Sequence, residues 1–402
     1  METHIPPGPQ AARHYGMDWL RIGAFALLIF YHVGMFYVPW DWHVKAPQIV
    51  ERASTPMNFT NGWRLALLFL VSGYASAAML AKRPAVGRFL LNRTARLLVP
   101  LLFAIIVVVP PQPWVELVGK HGYPHGFGHF WMRDYFRFGT LDGIVLPTWQ
   151  HLWFVAYLWP YTLLLGLLAA MPEAMRHKAR TVFERVFSQP VLLFCLPIGW
   201  QLLRSFVFWP GVGDTHDFFG DVQAHWIYIP AFLFGFALLG GESVWRTIAA
   251  AWKGSLFVGL AAYAVMAAID WSYPGDAMPG QGLLDLFRFA RAINAWCMIV
   301  ALLGLADRLR TFDHPWRATL NEAVFPFYIV HQTLIVVMAW WCARAGLANA
   351  VSFPLLVAGT AAGCWLFYRI GRAIPVLRLL IGLRGWRISA SPAGRDAAST
   401  AA

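Results

Sequence analysis

The sequence predicts an all-α, polytopic integral membrane protein: a bundle of about ten transmembrane helices with both termini on the cytoplasmic side. Three observations predict it. Of 402 residues, 58% are hydrophobic and only 13% are charged, against roughly 25% charged in an ordinary soluble domain. Mean hydropathy is +0.52, and several apolar runs approach the roughly 20 residues a helix needs to cross the hydrocarbon core. Lys and Arg gather in alternate connections between those runs. The same composition excludes a soluble enzyme, a disordered chain and a disulfide scaffold. A membrane barrel is excluded too, because its strands alternate apolar and polar residues, whereas 97–109 is apolar on every side.

Residues 1–16 are Pro-rich and polar and lack the basic, apolar and small-residue pattern of a cleaved signal peptide, so they read as a cytoplasmic segment and the first span as an uncleaved signal. Apolar runs then place spans at 19–38, 62–80, 97–113, 151–171, 190–208, 223–240, 254–272, 283–305, 319–342 and 351–371. The eighth and ninth are the least hydrophobic. Two long connections, 39–61 and 114–150, lie on the outer side; the second contains Trp114, Trp131 and Trp149. Residues 375–402 read as a disordered cytoplasmic tail. With the N-terminus inside, the cytoplasmic segments hold 20 of the 32 Lys and Arg, the outer segments 6 and the spans 6. This is the positive-inside pattern, and it absorbs most of the net charge of +12 that might otherwise suggest nucleic acid. Cys195, Cys297, Cys342 and Cys364 fall in apolar runs without metal-ligand spacing and read as small apolar residues. No inverted repeat of the transporter kind is visible.

Within the spans, ionisable residues are expensive and mark candidate sites. Arg21 and His32 lie 11 residues apart, about 20° from whole turns, so they share a helix face about 16.5 Å apart along the axis, with Asp18 on the same stripe. His32 is 13 residues past Trp19, roughly 20 Å into a core about 30 Å thick. A neutral imidazole there has the form a general base needs; equally, it suits a helix-to-helix hydrogen bond. Residues 81–96 carry Lys82, Arg83, Arg88, Arg93 and Arg96 and no acid. Arg93 and Arg96 are one turn apart and can grip a phosphate with two planar forks; the positive-inside rule and anionic lipid explain them as well. On the outer halves of their spans, Arg64, Arg204, Arg288 and Arg291 suit a vestibule for an anionic acceptor or a succinyl carboxylate, or else close ion pairs such as Asp285–Arg288. His151, beside Trp149 and Trp153, reads as an acceptor contact or an aromatic-belt cap. His331, one turn after Tyr328, reads as a cavity wall. Glu322 lies on the opposite face of that helix from His331. His121, His125 and His129 are interrupted by Gly and Pro, and no metal site is expected.

Taken together, Asp18-Trp19-Leu20-Arg21 with His32, Leu70-Val71-Ser72-Gly73-Tyr74, Arg93-x-x-Arg96 with Pro100, His151-Leu152-Trp153-Phe154 and Phe327-Tyr328-Ile329-Val330-His331-Gln332 resemble the acyltransferase 3 family. Trp42-His43 and His331-Gln332-Thr333 are most similar to its glucan-biosynthesis branch, which transfers succinyl groups. The resemblance runs through nearly the whole chain and implies an acyltransferase domain over 17–374; many relatives carry a fused extracytoplasmic hydrolase-like domain, which this chain is expected to lack. It implies a bacterial inner-membrane enzyme that takes an acetyl or succinyl group from cytoplasmic acyl-CoA and places it on a hydroxyl of an extracytoplasmic carbohydrate such as a glucan. His32 is the implied catalytic base, or a nucleophile forming an acyl-imidazole. Acyl-CoA falls to Arg21, Arg93 and Arg96, with Arg88, Ser72 and Tyr74. The acceptor or cavity falls to His151, Trp153, Arg64, Arg288, Arg291, Tyr328, His331 and Gln332. The expected partners are acyl-CoA, the carbohydrate and membrane lipid, with no tightly bound cofactor, no nucleic acid and no support for an oligomer. Two further readings stay open: O-acetylation of a lipid-linked saccharide or small hydroxylated metabolite, and a non-enzymatic transporter or exporter.

Overall fold

A backbone in hydrocarbon must satisfy its own hydrogen bonds, so runs this apolar become helices, and the computed structural model is helical almost throughout. It describes residues 13–82, 85–275 and 277–383. The helices are α1 (Tyr15–Met35), α2 (Ser54–Asn61), α3 (Arg64–Leu80), α4 (Val86–Phe103), α5 (Pro111–His121), the single turn α6 (Phe127–His129), α7 (Trp153–Ala170) and α8 (Glu173–Phe187). They continue as α9 (Pro190–Leu202), α10 (Val222–Leu238), α11 (Glu242–Ser272), α12 (Gln281–Arg308), α13 (Pro315–Arg344), α14 (Asn349–Ala373) and α15 (Pro375–Leu380). Every predicted span falls on one or more of these helices. Among the described residues, eight helical stretches are long and apolar enough to cross a membrane. The remaining two predicted spans fall on α1, with Asp18 and Arg21 in its first turns, and on α10, which has 17 residues.

Four expectations need correction. Arg88, Arg93 and Arg96 sit on a helix and not in a loop, because nothing between Val86 and Pro100 breaks α4. The third span is part of a helical stretch over Val86–His121, loosened by a π turn at Ala104–Val108 just before Pro110 and Pro111. The outer connection 114–150 is structured: it includes most of α5, and a hairpin of β1 (Gly139–Leu141) on β2 (Ile144–Leu146) closes over Leu117, Phe130, Tyr135 and Leu146. Residues 375–383 are not a disordered tail. Apolar side chains fold α15 back onto the bundle and bury Ile381 and Leu383; the rest of the predicted tail, 384–402, lies outside the described residues, as do 1–12.

Close helix contacts set the geometry of the bundle. A Cβ at Gly73 would lie 1.9 Å from the Phe232 carbonyl oxygen, and one at Gly235 would lie 1.9 Å from that of Leu70. Glycine at these two positions therefore lets α3 and α10 touch backbone to backbone. At the start of α1, a Cβ at Gly16 would meet the Ala306 carbonyl oxygen of α12 at 1.7 Å. The main core gathers apolar faces of α1, α3, α7, α10, α12 and α13, with Phe69, Tyr157, Leu165 and Phe232 fully buried.

Candidate active site

The first helix presents both candidate chemistries on one face, as its spacing predicts. At its basic end Asp18 accepts from Arg13 at 2.8 Å and from Arg317 of α13 at 2.6 Å, so Arg21 has no direct salt bridge to it. Arg21 is half-buried, and Arg93 and Arg96 of α4 lie close enough for the three charges to repel one another. Arg96 donates to the Gly382 carbonyl at 3.4 Å, and the Nε of Arg93 is buried without a hydrogen-bond partner. Three guanidiniums from two helices, one with an unpartnered Nε, have the chemistry to hold an anion with several oxygens. Arg88 is exposed and has no charged partner among the described residues. The Ser72 carbonyl accepts from Ser76 at 2.8 Å, and Tyr74 meets the rings of His14 and Trp245 at 6.1 and 6.3 Å. Neither Ser72 nor Tyr74 hydrogen-bonds to Arg21, Arg93 or Arg96 among the described residues.

Three turns along α1, His32 meets α13. Its Nδ1 is 2.9 Å from Nε2 of His331, whose own Nδ1 is 2.8 Å from the Tyr328 carbonyl. A carbonyl only accepts, so the proton of a neutral His331 sits on Nδ1 and its Nε2 is a lone pair. Nδ1 of His32 must then donate, and its Nε2 is left as an unprotonated nitrogen. That nitrogen has no protein partner among the described residues and is not sealed off by packing. His151 completes the support. Its Nε2 lies 3.1 Å from the carbonyls of Tyr328 and Ile329, its Nδ1 accepts from Gln112 at 3.4 Å, and its backbone carbonyl accepts from the Tyr328 hydroxyl. Both ring nitrogens of His151 and the Tyr328 hydroxyl are thus spent on holding the turn before α7 against α13 and α5.

Gln332 joins a chain of polar groups toward the other end of the molecule. Its Nε2 donates to Gln112 Oε1 at 3.0 Å and to His43 Nε2 at 3.2 Å, while Gln112 donates to Thr333 at 2.7 Å. Nδ1 of His43 lies 2.6 Å from Glu116, which accepts from Lys120 at 2.9 Å, and Lys120 also donates to Asp41 at 2.7 Å. His43, His151, His331 and Arg64 all lie close enough to His32 to interact with it electrostatically. Sequence reasoning missed Gln112 and Glu116. With Lys120 they recur every fourth residue on α5, a polar stripe that would have revealed them. The turn that brings His43 inward is held by Lys45, which donates to the Met35 and Val38 carbonyls at 2.7 and 2.6 Å and so caps the end of α1; burial lowers this amine to about 8.

The outer arginines divide. Arg64 is buried, with its guanidinium 3.4 Å over the Tyr31 ring, its Nε without a hydrogen bond, and no carboxylate partner among the described residues. Arg291 is exposed near Arg204, Asp214, Tyr228 and Tyr31. Arg204 pairs with Asp214 at 3.1 Å, and Arg288 closes on Asp285 at 3.1 Å, the ion pair weighed as its alternative role. Trp153 is buried and stacks on His216 at 4.4 Å, so it serves packing and not a ligand surface.

A family model described as the acyltransferase domain, Acyl_transf_3, matches residues 14–369. The chain belongs to the acyltransferase 3 family. This acyltransferase is 23% identical over 385 residues to the glucans biosynthesis protein C of Escherichia coli O1:K1 / APEC, covering 92% of this chain and 94% of that protein. It is 24% identical over 392 residues to the protein of the same name from E. coli strain K12 / DH10B, with the same coverage. No solved structure matches the acyltransferase. The matched region spans both the arginine cluster and the histidine pair.

Proposed function

We propose that the protein is an O-acyltransferase of the bacterial inner membrane that moves an acetyl or succinyl group from cytoplasmic acyl-CoA to a hydroxyl of an extracytoplasmic carbohydrate. The observation that carries this reading is the open Nε2 of His32 on the same helix face as the anion site of Arg21, Arg93 and Arg96. The basic end of the bundle then faces the cytoplasm, where those arginines hold phosphates of CoA, and the thioester extends along α1 toward His32. Nε2 takes the proton of the acceptor hydroxyl as its oxygen attacks the thioester carbonyl. The tetrahedral intermediate expels the CoA thiolate, which recovers that proton, leaving the acyl ester and CoA-SH. Direct attack by Nε2, giving an acyl-imidazole, uses the same lone pair, and rapid quenching with labelled donor separates the two routes. The names of the relatives favour a glucan as the acceptor. Arg64, with no carboxylate of its own beside the Tyr31–His32 corner, favours a donor whose acyl group ends in a carboxylate.

The test uses purified protein in detergent, labelled acyl-CoA and no ion gradient. Transfer to glucan or hydrolysis of the thioester is expected, and His32→Ala is expected to lower kcat by about 10²- to 10⁴-fold, the usual worth of a positioned acid–base group. The double variant Arg93→Ala/Arg96→Ala is expected to raise KM for acyl-CoA well beyond its effect on kcat, because a phosphate grip away from the reacting bond is uniform binding. A transporter would show no gradient-free acyl transfer at all. Full activity in folded His32→Ala would overturn the assignment of His32.

A further inference from the structure

A cavity of about 1250 Å³ lies between α9 and the rest of the bundle, apart from His32 and the arginine cluster. Small side chains leave the space: Ala66 and Ala77 of α3 and Ala231 and Ala237 of α10 face Leu196 and Pro197 of α9. Two clips hold α9 off. Near its start the buried Trp296 of α12 donates to the Leu193 carbonyl at 2.7 Å. Near its end Trp200 and Trp226 stack at 3.8 Å and exchange indole N–H to carbonyl bonds of 2.7 and 3.1 Å. Between the clips the helix spans a hollow. Its walls are mainly apolar, with Gln201 and His177 among the few polar side chains, and a partly open groove of this size leaves those walls short of dispersion partners. It also exceeds the roughly 300–1,000 Å³ of ordinary small-molecule pockets.

The wall at the basic end is α8, a 15-residue helix with Phe183 and Phe187 half-buried against the core and Arg176, Lys178, Arg180 and Arg185 exposed. Such a helix lies in the headgroup layer. Arg180 is spent on Glu184 and the Gly240 carbonyl, and Glu184 also accepts from Ser243. Glu173, Arg176 and His177 also line the cavity; Glu173 and Arg176 are both exposed, and neither closes an ion pair among the described residues. A mainly apolar groove whose rim sets Arg176, free of any such ion pair, among Arg180, His177 and the single acid Glu173 at headgroup depth matches one kind of molecule, a diacyl lipid with an anionic head.

We propose that this cavity holds the acyl chains of one anionic phospholipid, with its phosphate at Arg176, and that the lipid fills the gap between α9 and α10. The test is intact-protein mass spectrometry of the full chain exchanged into detergent micelles containing phosphatidylglycerol or phosphatidylcholine. One phospholipid per chain is expected to survive release from the micelle, with phosphatidylglycerol preferred roughly fivefold, the worth of one interfacial cation. Arg176→Gln is expected to abolish that preference while tail binding persists. Ala231→Trp or Ala237→Phe, which fill the hollow, are expected to reduce retention of both lipids, with a gel-filtration profile like the unsubstituted protein's as the check on folding. No retained lipid, or retention unchanged in both filled variants, overturns the proposal. Equal retention of the two lipids, or a preference that survives Arg176→Gln, overturns the assignment of the anionic head.

Discussion

Two imidazoles in contact share one proton between their facing nitrogens, and which ring holds it decides what the outward nitrogen can do. At His32 the decision is made two hydrogen bonds away, by a backbone carbonyl. The Tyr328 oxygen fixes the proton of His331 on Nδ1, so His331 accepts from His32 and turns the unprotonated Nε2 of His32 outward. In the proposed reaction His331 is a positioning residue that also shares the proton His32 takes up. His331→Gln retains a carbonyl oxygen able to accept from His32 but cannot take the proton. His331→Phe keeps the volume and retains no acceptor. Steady-state kinetics should therefore rank kcat as the unsubstituted protein above Gln above Phe, with Phe about 10²-fold down or more and KM for acyl-CoA little changed. Equal losses in the two variants, or a loss confined to KM, would mean that His331 only fills space.

At the scale of the element, the segment Leu70-Val71-Ser72-Gly73-Tyr74 shows why a sequence pattern can point to a site and serve packing. Gly73 and Gly235 let α3 and α10 approach until each Cβ position is 1.9 Å from a carbonyl oxygen on the other helix. Gly73→Ala must push the helices apart, and a destabilisation of about 1–3 kcal/mol is expected, the usual range for overpacking. Thermal unfolding in detergent should register it, while KM for acyl-CoA in the surviving folded fraction stays within about twofold, since Gly73 packs against α10 and the phosphate grip sits on α1 and α4. A large KM effect without loss of stability would return this segment to the donor site. Local spacing was enough to place Arg21 and His32 on one face and to group Arg93 with Arg96, because i, i+3 and i, i+11 relations are properties of a single helix. That α4 begins ahead of its apolar run was legible in part, since no proline lies between Val86 and Pro100, but the contact that covers it, Arg96 to the Gly382 carbonyl, is not a property of one helix.

Over the whole molecule, the apolar runs and the basic connections were legible because the bilayer imposes them residue by residue. The pairs that close the bundle were not. His32 and His331 are 299 positions apart, and His43 and Glu116 are 73 apart; no periodicity links residues on different helices. The same holds where the described chain begins. Tyr15 donates its backbone N–H to the Arg310 carbonyl at 2.9 Å. His14 is wedged beside Trp245 of α11 at 4.9 Å, with its Nε2 3.5 Å from Asp307 of α12. Burial, reinforced by Arg310 and opposed by Asp307, lowers this imidazole to about 4 from its usual 6.5. Folded His14 is thus neutral where unfolded His14 is already protonated. Above the unfolded value the two states bind the same protons and His14 adds no pH dependence. As pH falls from about 6.5 toward 4 the unfolded chain gains a proton the folded one refuses, and stability drops, by up to one proton's worth of slope. Below about 4 both states are protonated and the slope ends. His14→Phe keeps a ring against Trp245 without the titration, so its unfolding midpoint should fall less steeply than the unsubstituted protein's between pH 6.5 and 4.5. Parallel curves through that window would show that His14 keeps its proton on folding and that the clamp at this end of the bundle is not the one its burial implies.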